Sequence, residues 1–185
     1  YKVLGYKELS NKWFTEASNY LTTYYGQLAF MEINPNGKFE LSKDFEVNNK
    51  YRDYFFKKEI VKLIYLLDEL DEDKYAKHML RHLANDNIDS GSEILAAELA
   101  TNIDRFDFAI QISKIASYEK RFHNKFNYPI ISTPKYINGR KIPEAAFILS
   151  IIRQESEFDL KANSHAGAKG LMQLMPYTCL LYTSP

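Results

Sequence analysis

The sequence predicts an all-α protein: helix hairpins stacked as a superhelical α-solenoid, followed by the start of a second α-rich segment. Three observations predict it. From Arg52 onward, apolar residues recur every three or four positions in four windows, residues 54–70, 73–84, 92–102 and 105–118. Each window has the period and length of an amphipathic globular helix. The breaks between them are short and polar: Asp71-Glu72-Asp73, then Asn85-Asp86-Asn87 with Asp89 to Ser92, then Asn102 to Asp104. Short-looped helix pairs of similar size mark a stacked helical array. After an aperiodic stretch, residues 143–178 open as a fresh apolar helix.

Bulk composition sets the frame. The 185 residues suffice for one ordinary domain or parts of two. A hydrophobic share of 45% with 26% charged residues is that of a folded chain. A net charge of zero gives no reason to expect nucleic acid or an anionic membrane as partner. Cys179 stands alone, so no internal disulfide can form. No apolar run approaches the roughly 18 residues of a membrane-spanning helix.

Taken in order, residues 7–29 carry Trp13, Ala17, Tyr20, Leu21, Tyr24, Tyr25 and Leu28 at helical spacings and predict two short packed helices. Residues 33–49, with Asn34-Pro35-Asn36-Gly37, predict a turn-rich connector. Within the four windows, Ser90 or Ser92 and Asp104 stand where helix N-caps are expected. The acidic run between Asp68 and Lys74 reads as a solvated helix junction. His78 and His82 lie four apart on one helix, a spacing that could hold a metal, but no Glu follows His78. Solvent-facing histidines are the simpler reading, and no metal is expected. Residues 118–142 contain Pro129, Pro134 and Gly139 without sustained periodicity and read as a linker.

The segment that carries chemistry starts at Pro143, suited to a first helical position. Ala145, Ile148, Ile152 and Glu155 then share a helix face, with Arg153 and Glu157 turned towards solvent. Glu155 is thus expected on the apolar side at a helix C-terminus. Burial and the helix dipole would both raise its pKa, as suits a general acid. Glu157 and Asp159 are poorly placed to serve as the second carboxylate of an acid–base glycosidase.

Beyond Glu155 runs a long ordered pattern: Glu155-Ser156-x-Phe158, Ser164, then Gly167-Ala168-x-Gly170-Leu171-Met172-Gln173-x-Met175-Pro176-x-Thr178. A second helix is expected after the Gly167–Gly170 turn. This pattern resembles the catalytic signature of the soluble lytic murein transglycosylases, whose catalytic domain is goose-lysozyme-like. The Tyr24-Tyr25-Gly26-Gln27-Leu28-Ala29 and Asn127-Tyr128-Pro129-Ile130 stretches also resemble segments of that family. His165 and Leu160 depart from the residues expected there.

The resemblance implies a helical superhelical domain over residues 1–117, a linker over 118–142 and the start of a lysozyme-like catalytic domain over 143–178. It implies Glu155 as the catalytic acid and base, acting on the bond between N-acetylmuramic acid and N-acetylglucosamine with help from the muramyl acetamido group. The C6 hydroxyl would close a 1,6-anhydro ring. Ser164 would orient the acetamido group, and Gln173 and Met175 would line the glycan cleft. Peptidoglycan strands are the expected partner, no cofactor is expected, and the expected location is periplasm or envelope. The alternatives are a muramidase and a non-catalytic peptidoglycan- or protein-binding helical scaffold. The chain opens without Met, and residues 179–185 show neither helical periodicity nor the family pattern, so they are read as a non-native tail. The chain is therefore expected to be an inactive piece of a longer protein with an export signal.

Overall fold

A computed structural model describes residues 1–40, 45–85 and 90–183. Contacts divide the chain into two units, Tyr1–Lys43 and Asp44–Pro185. The first is a hairpin of α1 (Lys7–Ser18) and α2 (Tyr24–Ile33), as its aromatic spacing predicts. The Thr23 side chain caps α2 by accepting from the Gly26 amide at 3.0 Å. Glycine is required at position 26. A Cβ there would stand 2.0 Å from the Tyr20 carbonyl oxygen. The Asn34–Gly37 turn follows, closed by the Gly37 amide on the Asn34 carbonyl at 2.9 Å. Residues 41–44 of the expected connector lie outside the described residues.

The second unit stacks α3 (Asn49–Phe56), α4 (Glu59–Glu69), α5 (Asp73–Asn85), α6 (Ser90–Asn102) and α7 (Phe106–Tyr118). The single helix expected over residues 54–70 is two, broken where Lys58 turns to an extended conformation (ψ 139°). The reason lies in helical phase. Phe55 and Ile64 are both fully buried in one core, yet nine residues of unbroken helix would set them roughly 180° apart. The break brings both inward. The core gathers around α6, where Leu95, Ala96, Ala97, Leu99 and Ala100 are all fully buried. This helix packs on α3, α5, α7 and the short α8 (Asn124–Asn127). Its small alanines let four neighbours approach closely, and its half-buried Glu93 and Glu98 are ion-paired to Arg121 and Arg52.

Two capping expectations are corrected. Ser92 lies inside α6, buried, with its hydroxyl 2.6 Å from that of Tyr51. Asp104 does not cap α7 either; it closes α6 in a left-handed conformation (φ 55°). There its amide bonds the Thr101 carbonyl, and the Arg105 amide bonds the Ala100 carbonyl. That is the Schellman pattern. Asp71 and Lys120, also left-handed, end α4 and α7 with the same pair of bonds. Three helices therefore stop by one device, with Asp or Lys where glycine is usual.

After α8 the chain extends to a two-stranded hairpin, β1 (Tyr136–Ile137) and β2 (Arg140–Lys141), pairing Tyr136 with Lys141 and Ile137 with Arg140. Both turn residues, Asn138 and Gly139, have positive φ (49° and 75°), as a tight hairpin turn of this hand demands. The aperiodic reading of residues 118–142 missed it. Next come α9 (Ala145–Glu155) and α10 (Pro176–Thr183). Pro143 precedes the N-cap, Glu144, instead of opening the helix. The helix expected straight after Gly170 begins only at Pro176, and it continues through residues 179–183, which read as non-helical in sequence.

Candidate functional site

The roll of α9 about its axis sets the site. Its inward stripe is the buried Ile152 with the half-buried Ile148 and Leu149, which pack with Phe158 against Ile110 and Phe106 of α7. Leu149 widens that stripe on the side away from Glu155, because it stands about 100° round the helix from Ile148. The expected burial of Glu155 is corrected accordingly: this last residue of α9 is exposed, as is Ala145. Its carboxylate has no hydrogen-bond or ion-pair partner among the described residues.

The solvent-facing placement of Arg153 and Glu157 is corrected too. Both are turned to the helical stack. The Arg153 guanidinium donates to the Asn127 backbone carbonyl at 2.9 Å and to Asn127 Oδ1 at 2.8 Å. Asn127 is itself buried at the end of α8. The Glu157 carboxylate accepts from Lys114 Nζ at 2.9 Å and lies 3.4 Å from Arg153. Glu157 and Phe158 both adopt left-handed backbone (φ 52° and 66°), a strained pair for non-glycine residues. Burial of the Phe158 ring and the ion pairs of Glu157 hold that conformation in place.

A polar loop follows. Its first anchor is Lys161, whose ammonium sits between Asp71 (2.8 Å) and Asp73 (2.9 Å) at the α4–α5 turn. The hydrogen bond from Lys161 holds the Asp71 carboxyl below the usual range, and the two aspartates raise the Lys161 pKa in return. The acidic run stays a solvated helix junction, with the Asp71 side chain 86% exposed, and serves the loop as a docking point as well. The Asp159 carboxylate accepts from the Lys161 amide at 2.8 Å.

From there the loop ties itself together. The Ala162 carbonyl accepts from the Gly170 amide (2.9 Å) and from Gln173 Nε2 (3.2 Å). Ser164 closes the next turn, its Oγ accepting from the Ala168 amide at 2.9 Å. Gly167 and Gly170 have φ of 89° and 71°, so both turns need glycine. Ser164 is exposed, Gln173 half-buried, and Met175 is 41% exposed on the approach to α10. Of the four predicted site residues, Ser164 and Gln173 belong to one hydrogen-bonded loop, joined to Glu155 through the strained 157–158 turn. The bonds made by Arg153, Asn127, Lys114 and Lys161 escaped the sequence reading, since no local pattern signals a bond across 26, 43 or 88 residues.

His78 and His82 are exposed on α5. Among the described residues no group of three or more His, Cys, Asp or Glu side chains is placed to hold a metal ion.

Residues 135–183 match the family model of the transglycosylase SLT domain. A candidate soluble lytic murein transglycosylase of Haemophilus influenzae is 32% identical over 128 residues, which is 67% of this chain and 21% of that protein. The soluble lytic murein transglycosylase of Escherichia coli is 46% identical over 44 residues, 24% of this chain and 7% of that protein. Among solved structures, the 70 kDa soluble lytic transglycosylase of Escherichia coli superposes with a TM-score of 0.65 at 19% identity. That match covers all of this chain and 30% of the other. An inactive mutant of a Pseudomonas aeruginosa lytic transglycosylase matches over 87% of this chain and 26% of its own, at TM-score 0.62 and 23% identity. These structural likenesses establish the helical fold. The chain spans about a fifth of the Haemophilus influenzae relative.

Proposed function

We propose, for a chain that belongs to the soluble lytic murein transglycosylases and carries part of their SLT domain, that it supplies the acid of a murein-cleaving site. Its residues 1–117 are read as the helical domain, 118–142 as a linker and 143–178 as the start of the catalytic domain. The observation that carries the reading is Glu155. It is an exposed carboxylate without a competing partner among the described residues, at the end of the apolar helix and inside the matched segment.

Glu155 protonates the glycosidic oxygen between N-acetylmuramic acid and N-acetylglucosamine while the muramyl acetamido group assists departure. The Glu155 carboxylate then takes the proton of the C6 hydroxyl, whose oxygen closes the 1,6-anhydro ring on C1. The acid is thereby restored. Both nearby carboxylates are already engaged, Glu157 by Lys114 and Arg153, Asp159 by the Lys161 amide. Glu157, held in two ion pairs and turned to the helical stack, is poorly placed to activate water, which favours ring closure over hydrolysis.

Ser164 contributes its hydroxyl proton to the acetamido group, since its oxygen already accepts from Ala168. The Gln173 amide nitrogen is occupied within the loop, which leaves its carbonyl oxygen, beside the exposed Met175, to face the glycan. Murein as substrate implies work in the periplasm or envelope.

The test is mass spectrometry of products from purified murein, using the longest natural protein that contains these residues and its Glu155→Gln variant. The expected outcome is 1,6-anhydromuramyl product from the wild type and a loss of at least about 100-fold in the variant. Reducing-end muramic acid would make the protein a hydrolase. No release by a folded wild type would favour a binding scaffold.

A further inference from the structure

We infer that Arg153 is a positioning residue, fixing the direction of the Glu155 carboxylate by fastening the end of α9 to Asn127. The inference rests on the catalytic reading of Glu155. A helix end frays unless something holds it, and the last residue of α9 makes no side-chain bond of its own among the described residues. The direction of its carboxylate is therefore decided by the backbone on either side.

Two residues upstream, Arg153 presents a fork of two short bonds to one buried residue, through Nε and one terminal nitrogen. The fork has rigid planar geometry, so it fixes rotation about the helix axis as well as distance. Asn127 is a stiff anchor. Its neighbour Phe126 is buried in the main core, and its own amide bonds the His123 carbonyl at 3.0 Å. Downstream, the third guanidinium nitrogen approaches Glu157, one of the two left-handed residues that turn the chain away after Glu155. One side chain thus touches both flanks of the proposed acid, while only about a fifth of it is exposed. Loss of about 1 Å in placement at a reacting group suffices for large rate effects.

The test compares wild type, Arg153→Lys, Arg153→Ala and Asn127→Ala in the longest natural protein containing these residues. It measures kcat and KM on murein, melting temperature, and amide hydrogen exchange over residues 150–160. Lysine keeps the charge but cannot make the fork. Expected are a drop in kcat of about tenfold or more for Arg153→Lys and Arg153→Ala with KM changed less than about twofold, and faster exchange at Ser156 to Phe158. The Asn127→Ala effect should not add to that of Arg153→Ala. A lowered melting temperature with unchanged kcat and unchanged exchange at Ser156 to Phe158 would overturn the inference. So would full recovery of kcat in Arg153→Lys, because charge alone would then suffice. Should the alanine variant fail to fold, the lysine variant decides. If the wild type itself releases no product, the catalytic reading falls, and unchanged exchange in Arg153→Lys separately refutes the fastening role.

Discussion

Glu93→Gln puts the electrostatics of the stack to a direct test. Glu93 lies in the first turn of α6, and its carboxylate accepts from Arg121 Nε at 3.0 Å and from a terminal nitrogen of Arg121 at 2.6 Å. A third contact joins it to His123 Nε2 at 2.9 Å, with that imidazole 3% exposed. Burial pushes the Glu93 carboxyl up, but the Arg121 and His123 bonds outweigh it and hold the group below the usual range. Breaking a buried pair by removing one partner costs about 3–5 kcal/mol. Here Arg121 is about one-third exposed and keeps Glu119, and glutamine retains one acceptor oxygen, which reduces the expected loss to about 2 kcal/mol. With a urea slope of about 2 kcal/mol/M, the midpoint should fall by about 1 M at pH 7.

The pH dependence fixes the sign. A carboxyl depressed in the folded state contributes stability above its unfolded pKa of about 4.3, and that contribution is lost as pH falls through the folded value. The gap between wild type and Glu93→Gln should therefore be widest at neutral pH and shrink towards about pH 3. Urea melts at both pH values, followed by circular dichroism, decide it. A gap of the same size at both would show that shape, not charge, accounts for the loss. No gap at pH 7 would refute the reasoning outright.

Two further substitutions probe the units separately. Gly26→Ala should destabilise the α1–α2 hairpin by more than about 2 kcal/mol, since backbone at 2.0 Å must move, against the usual gain from such an exchange in a helix. Unchanged hydrogen exchange in α2 would contradict this. Phe158→Ala should cost about 3 kcal/mol, within the usual range for a buried aromatic, and release α9 while leaving the α5–α7 core protected. Exchange measured over α6 and α9 should separate; loss of protection in both together would show them to be one cooperative unit.

Local periodicity made most of the helices legible, because a buried stripe repeats within a few residues of itself. What depended on distant partners was not. The break at Lys58 needs the knowledge that Phe55 and Ile64 meet the same core, although the phase slip between them is written in the spacing. Asp104 suits both an N-cap and a left-handed helix end, and only the closing bonds of α6 decide between them. The Asn138-Gly139 turn was readable as a hairpin signal and was masked by the short strands around it. At the site, the ordered pattern from Glu155 to Met175 was visible. The exposure of Glu155 was not, since the roll of α9 is set by Leu149 and by a bond from Arg153 to Asn127 across 26 residues.

The central helix of the stack has a consequence for the order of assembly. α6 is enclosed chiefly by α5 and α7, its neighbours in the chain, and such local pairings close quickly because little chain must be looped to form them. During synthesis the nucleus around Leu95 and Leu99 can set before α9 leaves the ribosome, as domains fold from the N-terminal side. The segment bearing Glu155 then arrives at a finished surface. Ile110 and the Asn127 acceptors are already in place, and they act as a template on which this later-made segment takes its shape.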